Sequence, residues 1–429
     1  MQYLRVAVLK GEIELKNLRL SLYENSEINF INLNFENKKV QAIIDAAIST
    51  FAQNAVDILT DCPSRERAGW LCDSYFTSMA EYLITGSNKI EYNFLENYSL
   101  FEHSPYLPEN MIPMCYPADF PDGSFIPNWS LFYILELRNY LNRLNDKDLI
   151  VKSIPMIKGL LKYFSQFENE LGLLEDLKGW IFVEWSKAND IEYVSGVNFP
   201  SNMLYSAALE AAAELLDDTS LKSKADHIKE QINKYSFNGK FYEDNMLRDK
   251  DRNFVQTGHI TETCQYYAFY FNVASKETRP ELFDTLLNEF GPTRDDKTVY
   301  PEICKSNIIV GDYFRLFILQ RYNLHSLVVK ETVDYFYNMS QITGTLWEHE
   351  NDGASLNHGL TSVVVKIALE SFMGIKHIDF INKKLYLTNS YFNKENVTLS
   401  YKKVGLEVSI NNEERNVKHN DDFEVIYCD

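Results

Sequence analysis

The chain has 429 residues, of which 45% are hydrophobic, so it can bury a sizeable core in one large domain or in two to three average ones. Its 61 acidic and 42 basic side chains give a net charge of −19, which argues against nucleic acid or an anionic membrane as a partner. No apolar run approaches the roughly 20 residues of a membrane helix, and the N-terminus lacks the pattern of a signal peptide. The six cysteines form no CxxC pair and are expected to be free thiols. The sequence therefore predicts a soluble globular protein with neutral partners.

Residues 1–35 alternate apolar and polar side chains, as in Tyr3–Leu9 and Ile28–Phe35, which is typical of half-buried strands. So few strands cannot normally bury both faces of a sheet. We therefore interpret this segment as the remnant of a larger β domain that preceded it.

Residues 37–373 place apolar side chains at spacings of three and four, as in Val40, Ile43 and Ala47, which predicts helices. The predicted helical segments are 37–58, 73–85, 88–98, 129–144, 147–166, 201–217, 219–234, 257–273, 276–289, 306–322, 326–340 and 356–373. Short links such as Asn145-Asp146 alternate with long connections rich in aromatic, acidic, Gly and Pro residues. This alternation predicts a double ring of helical hairpins with the long loops gathered at one end, where function usually lies.

Alternation returns after Gly374, which predicts a small C-terminal β domain over residues 375–429. The predicted strands lie near 376–381, 397–401, 406–410 and 423–427. Asn411-Asn412 is a turn signal between two of them.

A loop between two helical segments, Asp61–Asp73, concentrates carboxylates, guanidinium groups and an indole, a composition that suits a sugar pocket. Glu66 is the candidate proton donor, because Trp70 can desolvate it and neighbouring anions disfavour its ionisation, so that both raise its pKa. Arg65 and Arg67 act in the opposite direction, so the acid role requires at least one of them to point elsewhere. The alternative is that the loop aspartate is a cap and Glu66 a salt-bridged surface group.

A second acidic loop, Gly344–Gly353, lies nearly three hundred residues later and contains Glu348 directly after a tryptophan. Hydrolysis of a glycosidic bond normally uses two carboxyl groups, and the two loops can supply one each across a single cavity. A divalent cation held by Glu348, His349 and their acidic neighbours is the rival interpretation, which the spacing does not favour. His358 is either a polar pocket residue or a satisfied core histidine.

All five tryptophans fall within or beside long loops, where stacking on the apolar faces of sugar rings would use them. Taken singly, each of them also fits core packing. They are Trp70, Trp129, Trp180, Trp185 and Trp347.

Five motifs resemble the catalytic domain of the family 78 glycoside hydrolases, the bacterial α-L-rhamnosidases. The most specific is Asp61–Trp70, with Asp73 after it, and the resemblance extends over residues 36–429. The others are Phe125-Ile126-Pro127-Asn128-Trp129, Phe182-Val183-Glu184-Trp185, Gly344-Thr345-Leu346-Trp347-Glu348 and Ser355-Leu356-Asn357-His358. The resemblance implies a mainly α fold: an (α/α)6 catalytic toroid over 36–374, a partial N-terminal β segment over 1–35 left from a β-sandwich domain, and a small C-terminal β domain over 375–429. On this interpretation the chain is N-terminally truncated, and both the bacterial cytoplasm and the periplasm remain open as its location.

The resemblance also implies roles for individual residues. Glu66 is the expected general acid and Glu348 the general base that activates water, with inversion at the anomeric carbon. Substrate binding is expected from Asp61, Arg65, Trp70, Asp73, Trp129, Trp185 and His358. Two residues depart from the family pattern: Cys72 stands where many members have glycine, and Glu184 where aspartate is common.

The sequence thus predicts an inverting hydrolase that releases terminal α-L-rhamnose, or a related deoxysugar, from glycans or glycosides without a cofactor or metal. Inversion predicts Glu66 and Glu348 carboxyl groups roughly 6.5 to 9.5 Å apart, against about 5 to 5.5 Å for a retaining enzyme. The alternatives are a carbohydrate-binding protein without activity and a polysaccharide lyase on a similar toroid. Oligomeric state, linkage and aglycone stay open.

Overall fold

The computed structural model describes residues 5–19, 21–118, 122–388, 395–411 and 414–428, and it is dominated by helices. The helices are α1 Lys38–Asn54, α2 Leu71–Thr85, α3 Lys89–Ser99, α4 Pro127–Leu144, α5 Lys147–Ser165, α6 Ile191–Val194, α7 Phe199–Leu216, α8 Thr219–Tyr235, α9 Glu262–Tyr270, α10 Pro280–Asn288, α11 Tyr313–Arg321, α12 His325–Thr343 and α13 Val364–Met373. Each predicted helical segment overlaps one of them, and only the short α6 was not predicted. An irregular turn, Ile308–Asp312, precedes α11, and a 3-10 helix, Gly359–Val363, precedes α13.

Six of these helices form a closed inner ring within the described residues. Helices α2, α4, α7, α9, α11 and α13 contact one another in that order, and α13 contacts α2. Their side chains are buried around most of the helix, whereas an outer helix such as α8 buries only Ala225, Ile228 and Ile232. This confirms the predicted toroid of helical hairpins, because an inner helix must be apolar on all sides and an outer one on a single stripe.

The short links between an inner helix and the next outer helix are built from paired caps. Asn145 ends α4 in the left-handed conformation, and the Asp146 side chain accepts from the first turn of α5. Asp217 and Asp218 act in the same way between α7 and α8. Residues that tolerate a left-handed backbone and then satisfy free N–H groups make such two-residue turns stable.

Three small sheets accompany the ring in the described residues. Strand β1 (Asn32–Phe35) pairs antiparallel with β7 (Val397–Tyr401), which continues through β8 (Leu406–Asn411) to β9 (Glu414–His419). Strand β6 (Lys384–Thr388) pairs with β5 (Ile375–Asp379) and, in parallel, with β10 (Glu424–Cys428). A sheet of β2 (Val197–Asn198), β3 (Asn245–Arg248) and β4 (Phe254–Gln256) lies within the long loops and was not predicted. The predicted turn residue Asn412 lies outside the described residues, between the paired strands β8 and β9.

The prediction of strands throughout residues 1–35 is wrong for most of the described part. Only β1 forms there, a 3-10 helix occupies Ser26–Phe30, and Val6, Val8 and Leu9 are exposed without strand pairing. Alternation alone does not form a strand without a partner edge, and β1 finds that edge in β7. The first four residues of the pattern lie outside the described residues, and the origin of this segment in a preceding domain stays a prediction.

All six cysteines are free thiols, as predicted. Among the described residues, no helix is long and apolar enough to cross a membrane.

Candidate active site

A cavity of about 220 Å³ opens at the end of the ring where the long connections meet. All nine side chains that the sequence singled out line this one cavity. They are Asp61, Arg65, Glu66, Trp70, Asp73, Trp129, Trp185, Glu348 and His358. Its wall also contains Ile126, Trp180, Phe182 and Ile309.

The first acidic loop is closed by Asp61. Its backbone N–H donates to the Ala68 carbonyl at 3.1 Å, and its Oδ1 accepts from the Ala68 N–H at 3.0 Å. Gly69 follows where a Cβ would lie 2.5 Å from the Tyr116 carbonyl oxygen, so only glycine fits. This geometry brings Trp70 to the start of α2 and Asp73 into its first turn. Asp61 is therefore both the loop cap of the alternative interpretation and a buried cavity residue.

The second acidic loop is tied to itself and to the first. Glu348 Oε2 accepts from the Ser355 N–H at 3.0 Å, which closes the loop around the carboxylate. His358 Nε2 lies 2.7 Å from Asp73 Oδ1, and the Gly359 N–H donates to the Asp61 carbonyl at 2.6 Å. These contacts join parts of the chain nearly three hundred residues apart and hold both acidic loops on one cavity.

Arg65 connects the two predicted catalytic carboxyl groups. Its Nη2 lies 3.0 Å from Glu66 Oε1 and 3.0 Å from Glu348 Oε2. Glu66 Oε1 and Glu348 Oε2 are therefore at most about 6 Å apart, twice the contact distance to Arg65. This upper limit lies between the separations of about 5 to 5.5 Å for retaining enzymes and about 6.5 to 9.5 Å for inverting ones. Because the limit concerns one oxygen of each group, inversion stays a prediction. Arg67 is exposed and does not line the cavity.

The environments of these two carboxyls shift their pKa values in opposite directions. Burial and the anion of Asp61 raise the pKa of Glu66, and they outweigh the opposing effects of Arg65 and a hydrogen bond from Trp70. Burial would also raise the pKa of Glu348, but His358, the Ser355 N–H and Arg65 more than offset it and lower that pKa. Two carboxyl groups whose pKa values are shifted in opposite directions can supply a proton donor and a base in one site.

The floor of the cavity carries two further acids and a histidine, all almost fully buried. Burial raises the pKa of Asp61 and of Asp73. Burial opposes a charge on His358, but Asp73 and then Glu348 outweigh it and raise the pKa of the imidazole. The floor therefore presents charged and hydrogen-bonding groups of both signs, as recognition of several hydroxyls requires.

One wall of the cavity is aromatic. Trp129 packs edge-on against Phe182 at a ring-centroid distance of 4.6 Å, and Phe182 packs against Trp185 at 4.7 Å. Ile126 and Ile309 complete this apolar side. Trp347 does not line the cavity: it is buried, and its Nε1 donates to Thr343 Oγ1 at 2.7 Å.

Glu184 lies fully buried behind this wall and holds together three segments of the chain. Its carboxylate accepts from the Ser186 hydroxyl at 2.6 Å, the Ser306 hydroxyl at 2.7 Å, the Gly311 N–H at 3.0 Å and the Thr263 hydroxyl. A Cβ at Gly311 would lie 2.5 Å from the carboxylate, so glycine is required for this approach. Burial raises the pKa of Glu184 to about 7. The contacts fix the loops that carry the aromatic wall.

Four wall residues were not predicted as site residues from the sequence. Ile126 and Phe182 stand inside motifs that were identified, so their neighbours were a signal for them, and Trp180 was noted only as a loop tryptophan. Ile309 was assigned to a helix and gave no signal. Among the described residues, no group of three or more His, Cys, Asp and Glu side chains is placed to hold a metal ion.

Solved structures of rhamnosidases share this fold. The family 78 rhamnosidase of Bacillus sp. GL1 is 18% identical with a TM-score of 0.76, over 93% of this chain and 42% of that protein. The Klebsiella oxytoca rhamnosidase with rhamnose bound is 15% identical with a TM-score of 0.62, over 78% and 64%. The Streptomyces avermitilis α-L-rhamnosidase complexed with L-rhamnose is 11% identical with a TM-score of 0.64, over 88% and 36%. The chain thus spans less than two thirds of the length of each of these proteins.

No curated protein sequence matches the chain. A family model does: the bacterial α-L-rhamnosidase six-hairpin glycosidase domain matches residues 31–290, which is more than half of the chain. The matched range contains the first acidic loop and most of the aromatic wall. Together with the closed ring of helices, this match shows that the chain belongs to the bacterial α-L-rhamnosidase six-hairpin glycosidase family.

Proposed function

We propose that this protein is an inverting glycoside hydrolase that releases terminal α-L-rhamnose, or a closely related deoxysugar, from glycans or glycosides. The observation that carries the proposal is the pair Glu66 and Glu348, whose pKa values are shifted in opposite directions on one cavity. A cavity of about 220 Å³ suits one monosaccharide, which supports cleavage of a terminal residue.

In the proposed reaction, Glu66 donates its proton to the glycosidic oxygen as the bond from that oxygen to the anomeric carbon breaks. Glu348 accepts a proton from a water molecule as the water oxygen bonds to the anomeric carbon from the opposite face. The products are the free sugar with inverted configuration and the alcohol of the leaving group. Glu66 ends deprotonated and Glu348 protonated, so one proton exchange with solvent restores both.

The remaining cavity residues have binding roles in this proposal. Asp61, Asp73, Arg65 and His358 contact the sugar hydroxyls, because they place donors and acceptors on the floor and rim. The apolar wall faces the methyl group of the deoxysugar. A hexose with a hydroxymethyl group at that position would have to bury a hydroxyl against the wall, which is unfavourable. Proton transfer between the two carboxyls and water needs no cofactor.

The test is hydrolysis of a panel of 4-nitrophenyl glycosides by the purified chain, with Glu66→Gln as the matched control. We expect the α-L-rhamnoside to be cleaved fastest and NMR of the first product to show the β-anomer. A first product with the α-anomer would reject inversion. Binding of L-rhamnose without hydrolysis of any glycoside would instead identify a carbohydrate-binding protein, and an unsaturated sugar among the products would identify a lyase.

A further inference from the structure

The proposed sugar cavity is closed at its floor, which determines where the rest of a substrate must go. Asp61 and His358 are buried at the floor, whereas Trp180 and Trp185 are 42% and 37% exposed. The side chain of Glu66 is also partly exposed. Arg65 is exposed as well, so a group attached to the bound sugar leaves the cavity across a rim formed by Arg65, Glu66 and these two indoles.

A second cavity, of about 300 Å³, lies beside this mouth and shares Trp180 with the sugar cavity. Its lining is apolar at Leu177, Ile181, Ile191 and Val194 and polar at Asp176, Lys178 and Asn189. Ile191 is 75% exposed on the short helix α6, although an isoleucine gains nothing from contact with water. Of the apolar side chains on this second cavity, Trp180 and Ile191 are the exposed ones, and exposed apolar surface beside a polar pocket is typical of a place that a ligand covers.

The Trp180 indole is held in a fixed orientation between the two cavities. The main-chain N–H of Trp180 donates to the Phe125 carbonyl at 2.9 Å. Gly179 before it has φ +89°, and a Cβ there would lie 2.6 Å from the Phe125 ring. The indole packs edge-on against Phe182 at 5.3 Å and lies 5.7 Å from Trp185. A rigid aromatic face binds a flat ring at a low cost in conformational entropy.

We propose that this second cavity is the binding site for the leaving group, and that it takes a ring with a flat apolar face, either an aryl group or a pyranose, attached to the terminal sugar. This inference rests on the proposed function, because it assigns a sugar to the first cavity. Stacking on Trp180 and contact with Ile191 make glycosides with a ring next to the scissile bond the preferred substrates.

The test measures binding in a Glu66→Gln background, so that no ligand is consumed. Calorimetry compares methyl α-L-rhamnoside, 2-naphthyl α-L-rhamnoside and an α-L-rhamnosyl disaccharide. We expect a ligand with a second ring to bind about ten-fold tighter than the methyl glycoside, the gain typical of one aromatic contact with its burial. Ile191→Ser should remove about half or more of that preference and leave the Kd of the methyl glycoside unchanged, because Ile191 does not line the sugar cavity. Ile381→Ser, at an isoleucine of the β tail that is 62% exposed, should change neither.

Each outcome has one meaning. A preference confined to the naphthyl or to the disaccharide ligand identifies the kind of ring, whereas equal Kd values for all three ligands, or a preference that survives Ile191→Ser, overturn the leaving-group site. Hydrolysis by the wild-type chain is scored separately. Hydrolysis without a ring preference rejects this site alone, a ring preference without hydrolysis rejects the enzyme alone, and the absence of binding by all three ligands rejects both.

Discussion

Replacing Arg65 by glutamine removes a cation that contacts both proposed catalytic carboxyls. Arg65 lowers the pKa of Glu66 and the pKa of Glu348. Without it both pKa values rise. The proposed mechanism requires Glu348 as the anion and Glu66 as the acid, so kcat/KM should fall below the pKa of Glu348 and above the pKa of Glu66. We therefore expect both limbs of the pH profile to move to higher pH together.

The size of this shift follows from the contact distance. Two unit charges 3.0 Å apart interact by about 1.4 kcal/mol at the dielectric constant of water, which corresponds to about one pKa unit. The side chain of Arg65 is 49% exposed, so this screened value is the appropriate one. Loss of the proposed contact to a sugar hydroxyl lowers the maximum of kcat/KM as well, by about ten- to hundred-fold for one charged hydrogen bond.

The assay is kcat/KM for an aryl α-L-rhamnoside between pH 3 and 9, compared among wild type, Arg65→Gln and Arg67→Asn. Arg67 has φ +50°, which asparagine tolerates, and it lies outside the cavity, so its replacement removes the same charge while both limbs stay in place. If both limbs of the pH profile keep their wild-type positions in Arg65→Gln, Arg65 does not lower the pKa values of Glu66 and Glu348 as assigned. Equal shifts in both variants would show a general charge effect instead.

The other predictions concern the acid, the support of the aromatic wall and stability. Glu66→Gln should lower kcat by about 10² to 10⁴-fold and abolish the basic limb of the pH profile, and a basic limb that persists would assign it to another group. Gly311→Ala places a Cβ against Glu184 and should lower the free energy of unfolding in urea by about 1 to 3 kcal/mol, whereas Gly353→Ala, which meets only a flexible side chain, should stay within about 0.5 kcal/mol. Burial raises the pKa of Glu81 to about 8, so between pH 5 and 8 the folded chain binds more protons than the unfolded one, and its stability should fall as pH rises, by at most about 1.4 kcal/mol per pH unit for this group. Urea unfolding across that range measures the slope, and a slope near zero would contradict the raised pKa of Glu81.

The helical ring could be predicted because its determinants are local. The spacing of apolar residues along each helix and the paired caps at Asn145-Asp146 and Asp217-Asp218 are present in the sequence itself. Local patterns of this kind could not predict which residues line the cavity. No periodicity relates Glu66 to Glu348; the acidic composition of the two loops suggested a shared cavity, and the resemblance of motifs assigned the two residues to one site, which the contacts of both with Arg65 support.

The features that were missed depend on tertiary contacts. Residues 5–9 alternate like a strand but have no partner, whereas β1 pairs with β7 more than three hundred residues later. Ile309 sits in an irregular turn at the start of a segment whose apolar pattern is helical. It reaches the cavity because the Trp185 N–H donates to its carbonyl and because Glu184 holds Gly311 nearby. Contacts between segments distant in sequence cannot be predicted from the local composition of either segment.

In the proposed function, the position of Glu184 explains how a wall made of loops can be rigid enough to select a sugar. The inner helices are packed on all sides, so the side chains that vary in such a ring lie on the long connections at its end. Two of those connections and the first turn of α9 meet at Glu184. Its fully buried carboxyl group accepts from Ser186, Thr263 and Ser306, one donor from each segment, so displacing any one segment leaves a buried polar group without that hydrogen bond. Trp185 and Ile309 are thereby held close together, and in the proposed function the apolar wall they form distinguishes a methyl group from a hydroxymethyl group by fit rather than by adjusting to either.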